Sequence, residues 1–238
     1  MKIKVPKDAI AYILFQRTEY LRMARSKSRV VQFMYRALLK IISFNTYVRI
    51  EALLFPRSIA KKYSDDMNKE FESIKRYLPR SVKRILDIGC GVAGIDALIY
   101  QHYGSGAAVC LLDKTSTDEK VYYNFEKQGS FYNSLSVARE LLRLNGIPAE
   151  NIQTQEVEDD NQIKFNGGFD LVLSLISWGF HYPVSVYLDQ VYDRMPDGGL
   201  LIIDVREDTE GEHLLRKKFK QVQIIFAEKK YKRILAQK

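Results

Sequence analysis

Five short apolar runs, KRILDI (83–88), AAVCLL (107–112), NIQTQEV (151–157), FDLVLS (169–174) and GLLIIDV (199–205), punctuate the chain at intervals too long for hairpins. Between them lie stretches with helical periodicity, GIDALIYQHY (94–103), SLSVARELLRLNG (134–146) and SVYLDQVYDRM (185–195). Strands that alternate with helices are joined by βαβ crossovers, and these build a parallel sheet covered by helices. Two closing runs, KQVQIIF (220–226) and YKRILAQ (231–237), are separated by only four residues. A parallel return needs a crossover of roughly a dozen residues, so this last pair is antiparallel.

Upstream the grammar differs. Residues 8 to 78 contain no alternating runs, but RVVQFMYRALLKIISF (29–44) repeats apolar residues at helical spacing with basic residues between them. That is an amphipathic helix, and its apolar face is expected to pack on the following domain, the other use of such a helix being a membrane interface. A further helix is expected over about 59 to 77, between Pro56 and Pro79. Residues 1–80 therefore read as a basic helical cap and residues 81–238 as the α/β domain. A chain of 238 residues that is 46% apolar can bury one substantial core of this kind.

Several function classes are excluded or disfavoured. No stretch reaches the roughly 20 apolar residues of a membrane span. The start, MKIKVPKDAIAYILFQRTEY, has no small-residue cleavage site, so a secretory signal is disfavoured and a cytoplasmic location is expected. Cys90 and Cys110 read as reduced core thiols, and with three histidines in all there is no metal-binding spacing. The net charge of +8 is concentrated at two places: residues 17–49 hold eight Lys/Arg against Glu19, and residues 216–238 hold nine against Glu228. The rest is net acidic. Basic ends of this sort suit an anionic partner, whether nucleic acid, a phospholipid surface touched peripherally or a phosphorylated metabolite.

The stretch ILDIGCGVAGID (85–96) carries the chemistry. Gly89, Gly91 and Gly94 form G-x-G-x-x-G between a strand and a helix, and Asp113 ends the next strand. Glycines there let the backbone approach a ligand, and a carboxylate after the second strand can accept two ribose hydroxyls, as in any nucleoside- or dinucleotide-binding crevice. Asp87 narrows the choice. A carboxylate repels a pyrophosphate but attracts the ammonium of a methionine moiety, and in a partly dry crevice the charge matters more than in water.

ILDIGCGVAG, LLDKT, FDLVLSLISWGFHYP and MPDGGLLIID, in this order, resemble the successive motifs of the class I S-adenosylmethionine-dependent methyltransferases, over about residues 83 to 238. The resemblance implies a seven-stranded, mostly parallel α/β sheet of order 3-2-1-4-5-7-6 with helices on both faces, S-adenosylmethionine as cofactor and methyl transfer as activity. Carried over position by position, Gly89 and Gly91 let the chain pass against the cofactor and Asp87 helps fix its methionine end. Asp113 binds the ribose hydroxyls, and Ser174 lines the cofactor through its backbone. An acid after the third strand faces the adenine; Glu156, Glu158 and Asp159 compete for that part, with Glu158 favoured. His181, just after the fourth strand, stands where the family places residues beside the transferring methyl group and is the candidate general base.

The chain departs from that pattern twice. Residues 117–133, TDEKVYYNFEKQGSFYN, form an insertion whose aromatics Tyr122, Tyr123, Phe125, Phe131 and Tyr132 lie on the expected cofactor side. SLISWGFHYP lacks the Asn/Asp-Pro-Pro-Tyr/Phe sequence of enzymes that methylate exocyclic amines of nucleic-acid bases. The expected acceptor is thus an oxygen of a polar small molecule, a sugar or glycan precursor, with Arg206 at the rim for an anionic group. RNA held by the basic ends is the alternative, and a non-catalytic module on the same fold is a second. A nicotinamide reductase is disfavoured, because the Tyr-x-x-x-Lys spacing of Tyr123 and Lys127 falls too early in the chain.

Overall fold

Each apolar run of the α/β part becomes a strand because its alternate residues are buried on opposite sides of one sheet. The computed structural model describes residues 1–104, 106–117 and 132–238. Its main sheet comprises β1 (Arg84–Ile88), β2 (Ala108–Asp113), β3 (Ile152–Glu156), β4 (Leu171–Ser174), β5 (Leu200–Arg206), β6 (Gln221–Ala227) and β7 (Tyr231–Gln237). The order across it is β3-β2-β1-β4-β5-β7-β6, as expected. Strands β3 to β5 are mutually parallel. β7 lies antiparallel between β5 and β6, as its short connection requires.

Ile85, Val109, Leu111, Leu171, Leu173 and Ile202 face one core, whereas Leu86, Cys110, Leu112, Val172, Leu201 and Ile203 face the other. The period of two is complete on both sides, which is why these strands read as near-continuous apolar runs. The second core is closed by α7 (Leu188–Arg194), α8 (Gly211–Lys218) and the fully buried Trp178. The first is closed by α5 (Gly94–Tyr103) and α6 (Leu135–Leu144), together with helices of the N-terminal region.

Those N-terminal helices are α1 (Ala9–Gln16), α2 (Arg29–Leu38), α3 (Phe44–Leu54) and α4 (Pro56–Ile74). α4 starts on Pro56, where a missing N–H costs nothing, and buries Ile59, Tyr63, Met67, Phe71 and Ile74 at three- and four-residue spacing. These side chains join the same cluster as Ile85 and Leu111, so residues 1–80 share one core with the sheet. Buried Arg233 of β7 fastens the arrangement: its Nε and Nη2 donate to Asp204 at 2.7 and 2.8 Å, and its Nη1 meets Glu70 and Ser73 of α4, each at 2.7 Å.

Three expectations need correction. The helix over 29–44 stops at Leu38, and a new one starts at Phe44 under the Ser43 cap, whose hydroxyl accepts from Thr46 N at 3.1 Å. Nor does its apolar face simply pack inward, since α2 has no fully buried residue. Tyr35, Leu38 and Ile42 lean on the core, while Val30, Phe33, Met34 and Ile41 stand 67, 72, 55 and 82% exposed. The stretch holds two apolar sets, and only one of them finds a partner. The basic C-terminal segment, finally, is partly paired at the surface: Lys218 pairs with Asp189, Lys220 with Asp197, Arg216 with Glu212, and Lys232 with Glu207 and Glu212, while Lys217, Lys229 and Lys230 make no ion pair among the described residues.

Candidate cofactor and acceptor site

The C-terminal ends of β1, β2 and β4 meet at one edge of the sheet. The turn after β1 is anchored by Gly89 N, which donates to Leu112 O at 2.7 Å. Gly89 and Gly91 both have positive φ, at 77° and 55°, a conformation that suits glycine because it has no β-carbon. The turn is also crowded. A β-carbon on Gly89 would collide with the Ser177 side chain, and one on Gly91 would come within 2.9 Å of Gln16 Oε1 at the end of α1. At Gly94 the obstruction would be the Tyr63 hydroxyl of α4. Two helices of the cap therefore bear directly on the glycine turn.

Three carboxyls converge here. Asp87 is 3% exposed and Asp96, in the first turn of α5, is 0% exposed. Their carboxyls lie within hydrogen-bonding reach of each other. With both ionised neither has a proton to give, and no donor among the described residues reaches either oxygen of Asp96. The contact becomes a hydrogen bond only when one acid is protonated. Burial, followed by the charges of Asp96 and Asp113, holds Asp87 well above the usual carboxylate range. Burial raises Asp96 to about 6.

Asp113 is bound differently. Its Oδ2 accepts from Gly91 N and Asn133 Nδ2, both at 2.8 Å, and its Oδ1 accepts from Lys114 N at 2.7 Å. Burial nonetheless pushes it up to about 6, against those donors. A carboxylate has about four acceptor directions. Asp113 thus clips the glycine turn to the second strand, with the Cys90 thiol as a further donor beside it. Asn133, in the short pair Ser116–Thr117 with Tyr132–Asn133, is 3% exposed and completes the clip.

The remaining expected residues are more scattered. Ser174 is fully buried and its hydroxyl donates to Ile88 O at 2.7 Å, locking β4 to β1 beneath the turn. Glu156 ends β3 and accepts from Thr115 N and, at 3.0 Å, Thr115 Oγ1. Glu158 lies on the exposed turn beyond, paired with Lys164 at 2.6 Å. His181 belongs to a further strand, Ser177–Tyr182, that follows the fourth. That strand starts at the glycine turn with Ser177, and four extended residues carry His181 roughly 13 Å away along it. His181 is half-buried against Phe180, with ring centroids 4.9 Å apart, and Arg206 sits over the other side of Phe180 at 6.0 Å. Burial and then the Arg206 charge lower the His181 pKa from 6.5. The insertion aromatics Tyr122, Tyr123, Phe125 and Phe131, with Lys127, lie outside the described residues, as does the side chain of Tyr132.

Sequence reasoning missed Asp96, Asn133, Ser177, Gln16 and Tyr63. Only Asp96 and Asn133 left a signal, as polar residues inside otherwise apolar or structured stretches. The site suits S-adenosylmethionine on its own chemistry: a buried carboxyl with no donor among the described residues for an ammonium, a turn of left-handed glycines for close backbone approach and a carboxylate at the end of the second strand for a sugar hydroxyl.

A family of sequences described as the methyltransferase domain matches residues 60–234. Among solved structures, an O-methyltransferase-like protein from Nostoc punctiforme is 15% identical, covers 97% of this chain and 72% of its own, and superposes with a TM-score of 0.54. The precorrin-6y C5,15-methyltransferase of Geobacter metallireducens is 14% identical, with 74% and 88% covered and a TM-score of 0.52. A 16S rRNA N2 G1207 methyltransferase from T. thermophilus, solved with AdoMet and guanosine, is 18% identical with a TM-score of 0.49; the match spans 71% of this chain but only 41% of that one. Comparison with curated proteins finds no match by sequence.

Proposed function

This chain belongs to the methyltransferase-domain family and is an S-adenosylmethionine-dependent methyltransferase, and on that premise we propose that it methylates an oxygen of a polar small molecule, a sugar or glycan precursor. In this reading Asp87 and Asp96 take the ammonium of the methionine half, Gly89 and Gly91 face it with backbone, and Asp113 accepts from the ribose. The cofactor supplies an electrophilic methyl group on a sulfonium. The ribose hydroxyls compete with the Asn133 amide and the Cys90 thiol for the Asp113 oxygens. Glu158 is free to reach the adenine only if it leaves Lys164.

The observation that carries the acceptor reading is the pairing of His181 with Arg206 at the far end of the Ser177–Tyr182 strand. A hydroxyl must lose its proton as it attacks, and an imidazole whose pKa lies below 6.5 is neutral and able to accept that proton at neutral pH. Arg206 supplies a cation for an anionic substituent of the acceptor. The roughly 13 Å from the glycine turn favours an acceptor with some length, lying between the sulfonium and His181. Displacement at a methyl is in line, so holding that acceptor at attack distance supplies much of the rate.

The test is release of S-adenosylhomocysteine from purified protein offered sugar nucleotides, small phenols or total RNA. Turnover with a sugar substrate, lowered about 10²–10⁴-fold in His181→Ala with cofactor affinity retained, is the expected result. Turnover with RNA alone, or a His181→Ala variant that works normally, overturns the acceptor assignment.

A further inference from the structure

The α2–α3 face of the cap joins exposed apolar side chains to unneutralised cations, and nothing in the catalytic reading uses it. On α2, Val30, Phe33 and Met34 are exposed, and Ile41 is exposed in the turn just beyond the helix's end. On α3, Ile50 and Leu53 are 39 and 81% exposed, and Leu54 is 65% exposed beside them. Between the helices is a cavity of about 410 Å³ bordered by Met23, Val31, Leu38, Ile50, Leu54 and Phe55. Exposed residues scattered singly mean little, but this many gathered on two successive helices, with Ile50 and Leu54 also bordering the groove, mark an interaction site.

Charge identifies the partner. Between Glu19 and Glu51 the sequence has no acid at all. Glu51 itself is 1% exposed and turned inward, accepting from Arg22 N at 2.9 Å, Met23 N at 3.1 Å and the Tyr47 hydroxyl. Arg29 and Arg36 lie on α2, Lys40 in the turn that follows it and Arg49 on α3, and all four are exposed. None of them makes an ion pair among the described residues, in contrast to Arg216, Lys218 and Lys232 of the C-terminal segment. A polyanion such as RNA would satisfy the cations and leave Phe33, Ile41 and Leu53 in water. A second copy of the chain would bury the apolar side chains but oppose cation to cation. A bilayer with anionic headgroups meets both demands, apolar depth below and phosphate at the rim.

We propose that the α2–α3 face seats the protein peripherally on an anionic phospholipid surface, with Phe33, Met34, Ile41 and Leu53 entering the headgroup layer and Arg29, Arg36, Lys40 and Arg49 meeting lipid phosphates. α1 leads into this face from the glycine turn, where its Gln16 stands against Gly91. The cap therefore touches the methyl-transfer site at one end and the lipid at the other. Docking at a membrane does not depend on which acceptor is methylated.

Flotation of the full chain with vesicles tests it. Binding is expected to phosphatidylcholine vesicles that contain phosphatidylglycerol, and not to phosphatidylcholine alone. Each cation reversed or removed among Arg36 and Lys40 lowers partitioning by about fivefold, an effect erased by high salt. Phe33→Glu with Leu53→Glu abolishes binding while circular dichroism and S-adenosylhomocysteine affinity stay as in the parent, since both side chains are exposed. Absence of binding to the anionic vesicles overturns the proposal, as does binding indifferent to Phe33 and Leu53. A dimer in light scattering that these two substitutions dissolve assigns the face to a second copy, and RNA binding lost with Arg36 and Lys40 but not with Phe33 assigns it to nucleic acid.

Discussion

Asp96→Asn should make the protein more stable and its cofactor binding weaker, and both effects should depend on pH. Asp96 is fully buried, faces Asp87 and receives no donor from the described residues. Its pKa of about 6 stands against an ordinary 3.8. At roughly 1.4 kcal/mol per pKa unit, ionising it in the fold costs about 3 kcal/mol. Because the folded value is the higher one, the folded state holds the proton more tightly than the unfolded chain. The cost is absent below about pH 4, grows as the pH rises through 6 and is fully present above it. Asparagine keeps the volume, removes the charge and offers Asp87 an amide donor. At pH 8 the variant should therefore gain about 1–3 kcal/mol, or several degrees in midpoint at about 2–4 °C per kcal/mol for a chain of this size; at pH 4.5 the gain should shrink to about a third of that.

The same substitution removes one of the two charges offered to the methionine ammonium. A charge-assisted hydrogen bond contributes about 1.5–3 kcal/mol, so S-adenosylmethionine should bind about 10- to 150-fold more weakly at pH 8. Cofactor binding to the parent near pH 6 should also release a proton, because an ammonium placed between Asp87 and Asp96 replaces the one they share. Thermal melts at pH 4.5 and 8, with calorimetry in two buffers of different ionisation heat, read all three quantities. An Asp96→Asn protein that is less stable at pH 8, or binds the cofactor as tightly as the parent, would show that the pair is a structural feature unconnected with the ligand.

Other outcomes follow from the same contacts. Asn133→Ala should weaken cofactor binding by about 1–3 kcal/mol with the fold intact, because the Asp113 clip on Gly91 loses its side-chain donor; unchanged calorimetric affinity would leave Asn133 a purely local role. Arg233→Met should destabilise by about 3–5 kcal/mol in urea titration, since it strands buried Asp204 without its bidentate partner, and Asp204→Leu added to it should recover much of that loss. For turnover, the lowered pKa of His181 predicts that the rate falls with acid at a lower pH than an ordinary histidine would give, and Arg206→Gln should move that fall to higher pH.

How much of this was legible from the sequence depends on whether the cause is local. The strands were readable because burial on both faces makes LDI, CLL and LVLS apolar throughout, and the antiparallel close followed from a four-residue link that admits nothing else. Asp87, Gly89 and Asp113 came together because strand ends of a parallel sheet share one edge. Asn133, Ser177, Gln16 and Tyr63 did not announce themselves, since each reaches the glycine turn across long sequence separations through packing. Asp96 reads as an ordinary acid in the first turn of a helix, and only its burial against Asp87 shows otherwise.

Charge was the least legible property, and the reason bears on function. The two basic segments look alike in composition, yet one is partly spent on Asp189, Asp197, Glu207 and Glu212, acids brought to it by α7, α8 and the loops of the sheet. In the other, Arg17 pairs with Glu19 and Glu51 accepts from the backbone of Arg22 and Met23, but Arg29, Arg36, Lys40 and Arg49 make no ion pair among the described residues. Exposed ion pairs add little stability, so the C-terminal pairs matter mainly because they cancel the field there. On the cap the uncancelled cations Arg29, Arg36, Lys40 and Arg49 stand in the same stretch as apolar side chains that the core left uncovered. Net charge alone points to any polyanion; the residual charge, read together with those apolar side chains, points to an amphiphile.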